Sequence, residues 1–379
     1  MVRDAARPLR LGLVGAGAGR SWAARAHLPA LRSVPDLEVV AVATTRQETA
    51  YAAAQATGAR YAFVDGRPLA EHPDVDVVSV VVKVPAHFEL VGMALAAGKH
   101  VYCEWPLGVD LAEAQILRSE ARRAGVVHMI GLQGRQSPGL LTARDLLQDK
   151  LVGRVLSCDM IHSTGHRGGG EVGEADVWGL DRSAGRNLLT IQGGHSFDAV
   201  CTVLGGTFTS VAGLVATRTP EATVIETGAR VPVDTPDQVV VAGLVGDVPT
   251  SVHLQGGAPE LEGFRMDIHG DRGVVRISGA GAHNSALVIS SVVDGEVVDR
   301  IPTATRYLST DLQALPDPAA NVARQYRSLV AQITSGQHTG PSFDDAVHVH
   351  ELLQAVTDSA ESGRTVHLPV VAAHGRGKP

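Results

Sequence analysis

LRLGLVGAGAGRSWAARAHL, residues 9–28, is the stretch on which the fold turns. Its opening, LRLGLVG, is an apolar run of strand length. Gly15, Gly17 and Gly19 follow at alternate positions, and an Ala-rich stretch with helical spacing then begins. Strand, glycine turn and helix in that order open a dinucleotide-binding unit. Glycine allows the tight turn and lets backbone approach a pyrophosphate at the helix N-terminus. The third glycine of G-x-G-x-x-G falls on Arg20. Ala24 takes the close-packing position if the loop carries extra residues. Arg20, Ser21 and Trp22 are the loop's other candidates for cofactor contact. The competing reading is a glycine-rich turn that holds no ligand.

The strands that follow decide between these. LEVVAVA (37–43), VDVVSVVV (75–82), KHVYCE (99–104) and VVHMIG (126–131) are continuous Val/Ile-rich runs. Between them lie helix-like segments at 48–56, 87–98 and 111–125. Unbroken apolar strands alternating with helices indicate a doubly wound parallel sheet buried on both faces, an α/β Rossmann domain. Beyond Gly134 the pattern changes. A helix at 137–150 and a strand at 153–162 precede a Gly- and His-rich loop (163–173), and a helix spans 188–204. Strands follow at 209–218, 238–245, 250–256 and 264–278, the last with a Gly-Asp-Arg-Gly turn at its centre. Strands in succession imply a large, mostly antiparallel open sheet in an α+β domain. Two helices, 320–333 and 343–360, close the pattern. The division predicted is 1–134, binding NAD(P), and 135–379, for substrate binding and oligomerisation.

Composition narrows the function. Across 379 residues the hydrophobic content is 44% and the formal net charge −7. That leaves no basic footprint for nucleic acid and no polybasic arm for a membrane. No apolar run approaches the ~20 residues of a membrane helix, and MVRDAARPLR lacks a signal-peptide core. A cytoplasmic location is the expectation. Three cysteines show no metal-ligand spacing. His348 and His350 fall on different faces of the last helix, where a surface position is expected, so no metal site is predicted. The chain has only four lysines, Lys83, Lys99, Lys150 and Lys378. Arginine stays protonated and is a poor proton carrier, so a mechanism that needs a lysine has few to choose from.

The end of the second strand bears on the cofactor. An NAD-binding unit usually offers a carboxylate to the ribose there. This chain offers Thr44, Thr45 and Arg46, with no acid before Glu48. Hydroxyls and a guanidinium suit a 2′-phosphate, which favours NADP, with NAD still open. The alternative is an exposed turn with Thr45 capping the next helix.

Several motifs now stand in order: the glycine loop with AHLPAL (26–31), KVPAHFELV (83–91), CEWPLG (103–108), GLQGRQSP (131–138), NLLTIQGGH (187–195) and MDIHGDRG (266–273). On this ordered set the chain resembles the glucose–fructose oxidoreductase, inositol dehydrogenase and rhizopine-catabolism family over nearly its whole length. Within it the pattern is similar to the fungal galactose-pathway repressor branch, which is not enzymatic. The resemblance implies cofactor at the carboxyl ends of the parallel strands and a sugar, cyclitol or polyol substrate between the domains. It also implies homodimers or homotetramers built through the C-terminal sheet.

The departures carry as much weight. The family's usual Glu-Lys-Pro is here Glu104-Trp105-Pro106, and the Asp often found four residues before the catalytic histidine is Ile191. Tryptophan donates one N–H and does not titrate usefully, so Trp105 reads as a wall of the binding site against sugar or nicotinamide. His195 is kept. It is either the acid/base that takes the hydroxyl proton as hydride leaves or a helix-start histidine bonded to backbone. Asp198 shares its helical face and either orients the ring or is structural. Lys83 ends a parallel strand. It either replaces the missing lysine, binds cofactor phosphate or ribose, or is a snorkelling strand-end residue. Pro85 and His87 follow it as cofactor-side candidates. Glu104 either holds the nicotinamide ribose or pairs with an arginine. Gln133, Arg135, Trp178, Asp181 and Asn187 are candidates to line a substrate pocket. His162 and His166 either touch substrate or are exposed loop residues. Two functions stay open: an NADP-dependent oxidoreductase acting on a sugar-like alcohol or ketone, and a cofactor-binding sensor without chemistry.

Overall fold

Strand β1 (Leu9–Val14) pairs on one side with β2 (Leu37–Ala43) and on the other with β4 (Val77–Val80). With β3 (Tyr61–Phe63), β5 (His100–Glu104) and β6 (His128–Gly131) these form a parallel sheet ordered β3-β2-β1-β4-β5-β6. This computed structural model describes residues 7–17, 19, 21–165, 168–257, 263–336 and 340–369. The chain reverses its direction of sheet growth between β1 and β4, and in such a sheet ligands bind at the carboxyl edge of that point. Leu11, Leu13, Val77, Val101 and Ile130 are fully buried, as continuous apolar strands covered on both faces require. Helices α1 (Leu28–Arg32), α2 (Gln47–Thr57), α3 (Gly66–Glu71), α4 (His87–Ala96) and α5 (Leu111–Ala124) connect the strands. β3 and α3 were not read from the sequence, being three and six residues long.

The second unit opens with α6 (Pro138–Gln148) and β7 (Val155–Thr164). A small sheet of β8 (Glu171–Val172), β10 (Glu221–Val224) and β11 (Arg230–Pro232) lies apart from the main one. Helix α7 (Gly194–Leu204) precedes β9 (Phe208–Ala216), β12 (Gln238–Val245), β13 (Val248–Gly256), β14 (Phe264–Gly270), β15 (Gly273–Gly279), β16 (Val288–Val293) and β17 (Glu296–Ile301). The main sheet has nine strands, and apart from β7 with β13 every pairing is antiparallel. Its register puts Val241, Val252, Met160, Met266, Ile277 and Ile289 in one buried row. One residue along, the row on the other face reads Leu214, Val240, His253, Ile161, Arg265, Ser278 and Val288. Leu214, Val240 and Val288 there are exposed. The sheet is therefore a one-sided core.

Helices α8 (Asp317–Ser335) and α9 (Phe343–Ser362) and the short strand β18 (Val366–His367) complete the chain. The chain divides into residues 1–133 with 309–347, and 134–308 with 348–379. The first crossover lies where the sequence pattern changes. The return of 309–347 to the first unit was not foreseen. Its cause is the stripe Ala319, Val322, Ala323, Tyr326, Leu329 and Val330, which shares one core with Ala23, Ala26 and Ala30 behind the glycine loop. Ala24 is only half-buried, so Ala23 and Ala26 are the close-packing residues. Among the described residues no helix is long and apolar enough to cross a membrane.

Tyr326 ties α8 down with polar contacts as well. Its hydroxyl lies 2.7 Å from Ser79 Oγ and 2.7 Å from His27 Nδ1, all fully buried. Tyr326→Phe removes the partner of both. An orphaned buried polar group costs about 1–3 kcal/mol, so the variant should lose roughly 2 kcal/mol or more in urea denaturation. Unchanged stability would show that α8 is held by its apolar stripe alone.

Candidate functional site

The glycine loop leaves β1 at Gly15, whose φ is +90°. A Cβ there would lie 2.1 Å from the carbonyl oxygen of Val81 at the end of β4, so only glycine lets the two strand ends meet. Gly17 and Gly19 are different. A Cβ would meet Ser21 at 3.5 Å and the Gly15 carbonyl oxygen at 3.9 Å in the first case, and nothing within 4 Å in the second apart from its chain neighbours. That open backbone fits a ligand's approach. Ser21 Oγ donates to Gly17 O at 2.6 Å and accepts from the Ala24 amide at 3.1 Å, closing the loop and capping the helix that follows. That helix begins with a π-turn, Ala23–His27. Trp22 stacks edge-on to His27. Arg20 lies outside the described residues, as does His166.

At the end of β2, Thr44 Oγ1 donates to Arg46 O and lies 2.7 Å from Thr49 Oγ1. Arg46, not Thr45, is the N-cap residue of α2, and its side chain makes no capping bond. Thr45 and Arg46 are exposed, and the Arg46 guanidinium has no ion pair among the described residues. Lys83 is exposed at the carboxyl end of β4 and leads into a 3₁₀ turn holding Pro85. His87 is not available to a cofactor. Its buried ring sets Nδ1 2.7 Å from Pro106 O and Nε2 3.1 Å from Val82 O, clamping the segments after β4 and β5 together. Burial lowers its pKa, against the pull of those two carbonyls.

Glu104, at the end of β5, is the hub of a buried network. Its Oε1 accepts from His27 Nε2 at 3.0 Å, Tyr102 Oη at 3.0 Å and Gln133 Nε2 at 2.9 Å. Gln133 also donates to Oε2 at 3.0 Å. Facing a carboxylate, His27 Nε2 must carry a hydrogen. The pairing partner is thus a histidine and not the arginine that one of the two alternatives named. Gln133 Oε1 is buried with no partner among the described residues. Trp105 is only 4% exposed, and its peptide bond to Pro106 is cis.

In the second unit, Asn187 and Thr190 form a capping box before the π-turn Leu188–Gly193. Asn187 is therefore spent on the helix start. Asp181 is likewise a cap: its Oδ1 accepts from Ser183 N at 2.8 Å and Ser183 Oγ at 2.6 Å, and those bonds lower its pKa. Trp178 lies under the Arg186 guanidinium, 5.3 Å from its ring centre. The π-turn widens the helix by a residue, so counting back four from His195 does not follow one helical face.

His195 sits in the first turn of α7, 5% exposed. Asp198, one turn on, is buried and accepts from Arg135 Nε at 2.8 Å and Nη2 at 2.7 Å. Arg135, read as a substrate contact, is thus held by Asp198, and Asp198 answers a guanidinium. Ser196 Oγ lies 3.0 Å from His162 Nδ1. The sequence reading missed His283. Its ring stacks on His195 with centroids 3.7 Å apart and planes 7° from parallel. It comes from the loop after β15, 88 residues away (283 − 195). The only sequence signal was a histidine in a Gly- and Ala-rich loop. At the C-terminal helix, His350 is buried and not on the surface, and His348 lies 3.2 Å from Glu351.

Residues 9–132 match the family described as an oxidoreductase family with an NAD-binding Rossmann fold. Residues 138–279 match the Gal80p C-terminal domain. The first stretch is thus the NAD-binding Rossmann domain of that oxidoreductase family and the second a Gal80p-type C-terminal domain. The chain is similar to proteins of two kinds. Dehydrogenase aclE of Aspergillus oryzae is 29% identical, over 94% of this chain and 97% of that protein. The galactose/lactose metabolism regulatory protein GAL80 of Saccharomyces cerevisiae is 25% identical, over 93% and 83%. The solved structure of a super-repressor mutant of that Gal80p has a TM-score of 0.84 at 25% identity, covering 95% of this chain and 97% of its own. Levoglucosan dehydrogenase, solved with NADH and levoglucosan, shares the fold at a TM-score of 0.83 and 22% identity, over 96% and 100%.

Glu104 carries a pH signature. Burial pushes its pKa up, but the bonds from His27, Gln133 and Tyr102 outweigh this and hold it below the ordinary value of 4.5. A depressed folded pKa contributes stability that is complete above the unfolded value and is lost as pH falls through the folded one. Glu104→Gln should flatten the loss of stability below about pH 4.5, read from urea midpoints between about pH 3 and pH 6. Parallel acid limbs in the two proteins would mean that Glu104 is not the ionised hub.

Proposed function

We infer that this protein is an NADP-dependent oxidoreductase that moves a hydride to or from a sugar- or polyol-like alcohol or ketone. The observation that carries this reading is His195, seated on a capped helix start with its ring plane fixed by a second ring, in a chain whose other unit is a dinucleotide fold. The cofactor, when bound, supplies the hydride acceptor or donor. The chain's own residues do the rest. The open backbone at Gly17 and Gly19 and the start of the Ser21-capped helix hold the pyrophosphate. Thr44, Thr45 and Arg46 hold the 2′-phosphate, which the uncommitted Arg46 guanidinium supports. Lys83 meets cofactor phosphate or ribose, or assists the proton. His195 takes the hydroxyl proton in oxidation and returns it in reduction. Levoglucosan in a structural relative supports the sugar-like class. The exposed apolar residues of the outer sheet face support a homodimer or homotetramer built there.

Two observations favour a second reading, a cofactor-binding regulator without chemistry. Trp105 stands where the family's lysine is expected, and residues 138–279 match the Gal80p domain.

Two measurements test these readings. Arg46→Ala should weaken NADP about tenfold, as loss of one charge-assisted contact predicts, and leave NAD binding unchanged. Equal losses for both cofactors would refute the 2′-phosphate role. His195→Asn should lower kcat about 10²- to 10⁴-fold on any sugar or polyol turned over, with NADP affinity retained. Unchanged turnover would remove His195 from the chemistry. Tight NADP binding with no turnover across a broad panel would favour the regulator.

A further inference from the structure

The stacked pair His195–His283 is more than a packing contact. Both rings can titrate, their planes differ by 7° and their centres lie 3.7 Å apart. Cation and neutral ring attract in that arrangement, because the charge sits over a π face. Two cations so close repel strongly, which keeps the second proton off through the neutral range. Such a pair titrates as one unit in two separated steps.

The loop carrying His283 is built to hold it there. Ser285 Oγ accepts from the Gly281 amide at 3.0 Å and donates to Gly281 O at 2.7 Å, closing the turn. Ala282 is fully buried. Among the described residues, Asp198 lies one turn along the same helix and is joined to Arg135, and His162 lies against Ser196, the neighbour of His195. Two residues before His195, Gly193 faces the apolar side chains of Leu189, Phe197 and Leu254. Asp198 is thus answered by a guanidinium, while the ring of His283 lies in direct contact with that of His195.

We propose that His283 is a positioning residue for His195: it fixes the plane of the imidazole and confines the pair to one positive charge near neutral pH. The proposal rests on the acid/base reading of His195 and names what tunes it.

The test is an NMR titration of the full chain with histidine labelled at Cε1, the two resonances being assigned by substitution. In the native protein His195 should titrate in a broadened or two-step curve. His283→Phe keeps a flat ring without a proton. There His195 should titrate in a single step, with its midpoint raised by about one unit or more, a tenfold change in proton affinity. Identical His195 curves in the two proteins would overturn the proposal. His283→Asn, which removes the stack, should also give a single-step curve, so the result does not depend on one variant folding. The readout needs no substrate. If His195→Asn leaves turnover intact while the coupled titration persists, the acid/base reading fails and the pairing stands. If the coupling is absent while His195→Asn abolishes turnover, the acid/base reading stands and this proposal falls.

Discussion

A carboxylate buried in a protein must be answered by donors, and the position of Glu104 imposes that demand at the centre of the first unit. Three donors converge on it from the helix after the glycine loop, from β5 and from the segment after β6. Behind His27 stand Tyr326 of α8 and Ser79 of β4. One ionised group thus fixes the relation of the cofactor loop's helix, two strand ends and a helix some 220 positions along the chain (326 − 104 = 222). Removing any one donor leaves the buried carboxylate with one partner fewer. The motif AHLPAL, whose histidine supplies one of these bonds, is accounted for by this demand.

The parts of the fold legible in sequence were those with a local physical cause. Parallel strands buried on both faces are unbroken apolar runs, so β1, β2, β4, β5 and β6 stood out. β3 and α3 are too short for any period to show. The return of α8 was illegible for another reason. An amphipathic stripe announces a buried face but not which core receives it, and Tyr326 gives no sign of its partners His27 and Ser79. β16 and β17 were passed over because their residues alternate weakly, lying at the exposed end of an open sheet.

The site was legible in the same uneven way. Gly15 could be read because its close approach to Val81 has a glycine-only cause. Asn187 and Asp181 were ambiguous in sequence because a polar residue before a helix can bind ligand or cap the helix, and both form caps here. Arg135 and Asp198 were read singly and in fact satisfy each other. His87 looked like a ligand contact and is a clamp between backbone carbonyls. His283 could not have been found, since stacking across 88 residues leaves no trace in spacing.

Trp105 then takes a different meaning. Oxidation of an alcohol releases one hydride and one proton, so a single proton carrier is enough for the chemistry. A lysine beside a buried carboxylate adds a second charge whose proton affinity depends on that pairing. With tryptophan there, Glu104 is answered, among the described residues, by His27, Tyr102 and Gln133 and becomes a structural anion. On the oxidoreductase reading, proton handling falls to His195, and the proposed pairing has its affinity set by the ring stacked on it. An oxidoreductase arranged this way needs His195 to cycle between protonation states. A regulator needs only the shape of the stack. The difference between the two readings therefore lies in whether that imidazole changes charge near neutral pH, and not in the presence of the dinucleotide fold, which serves both.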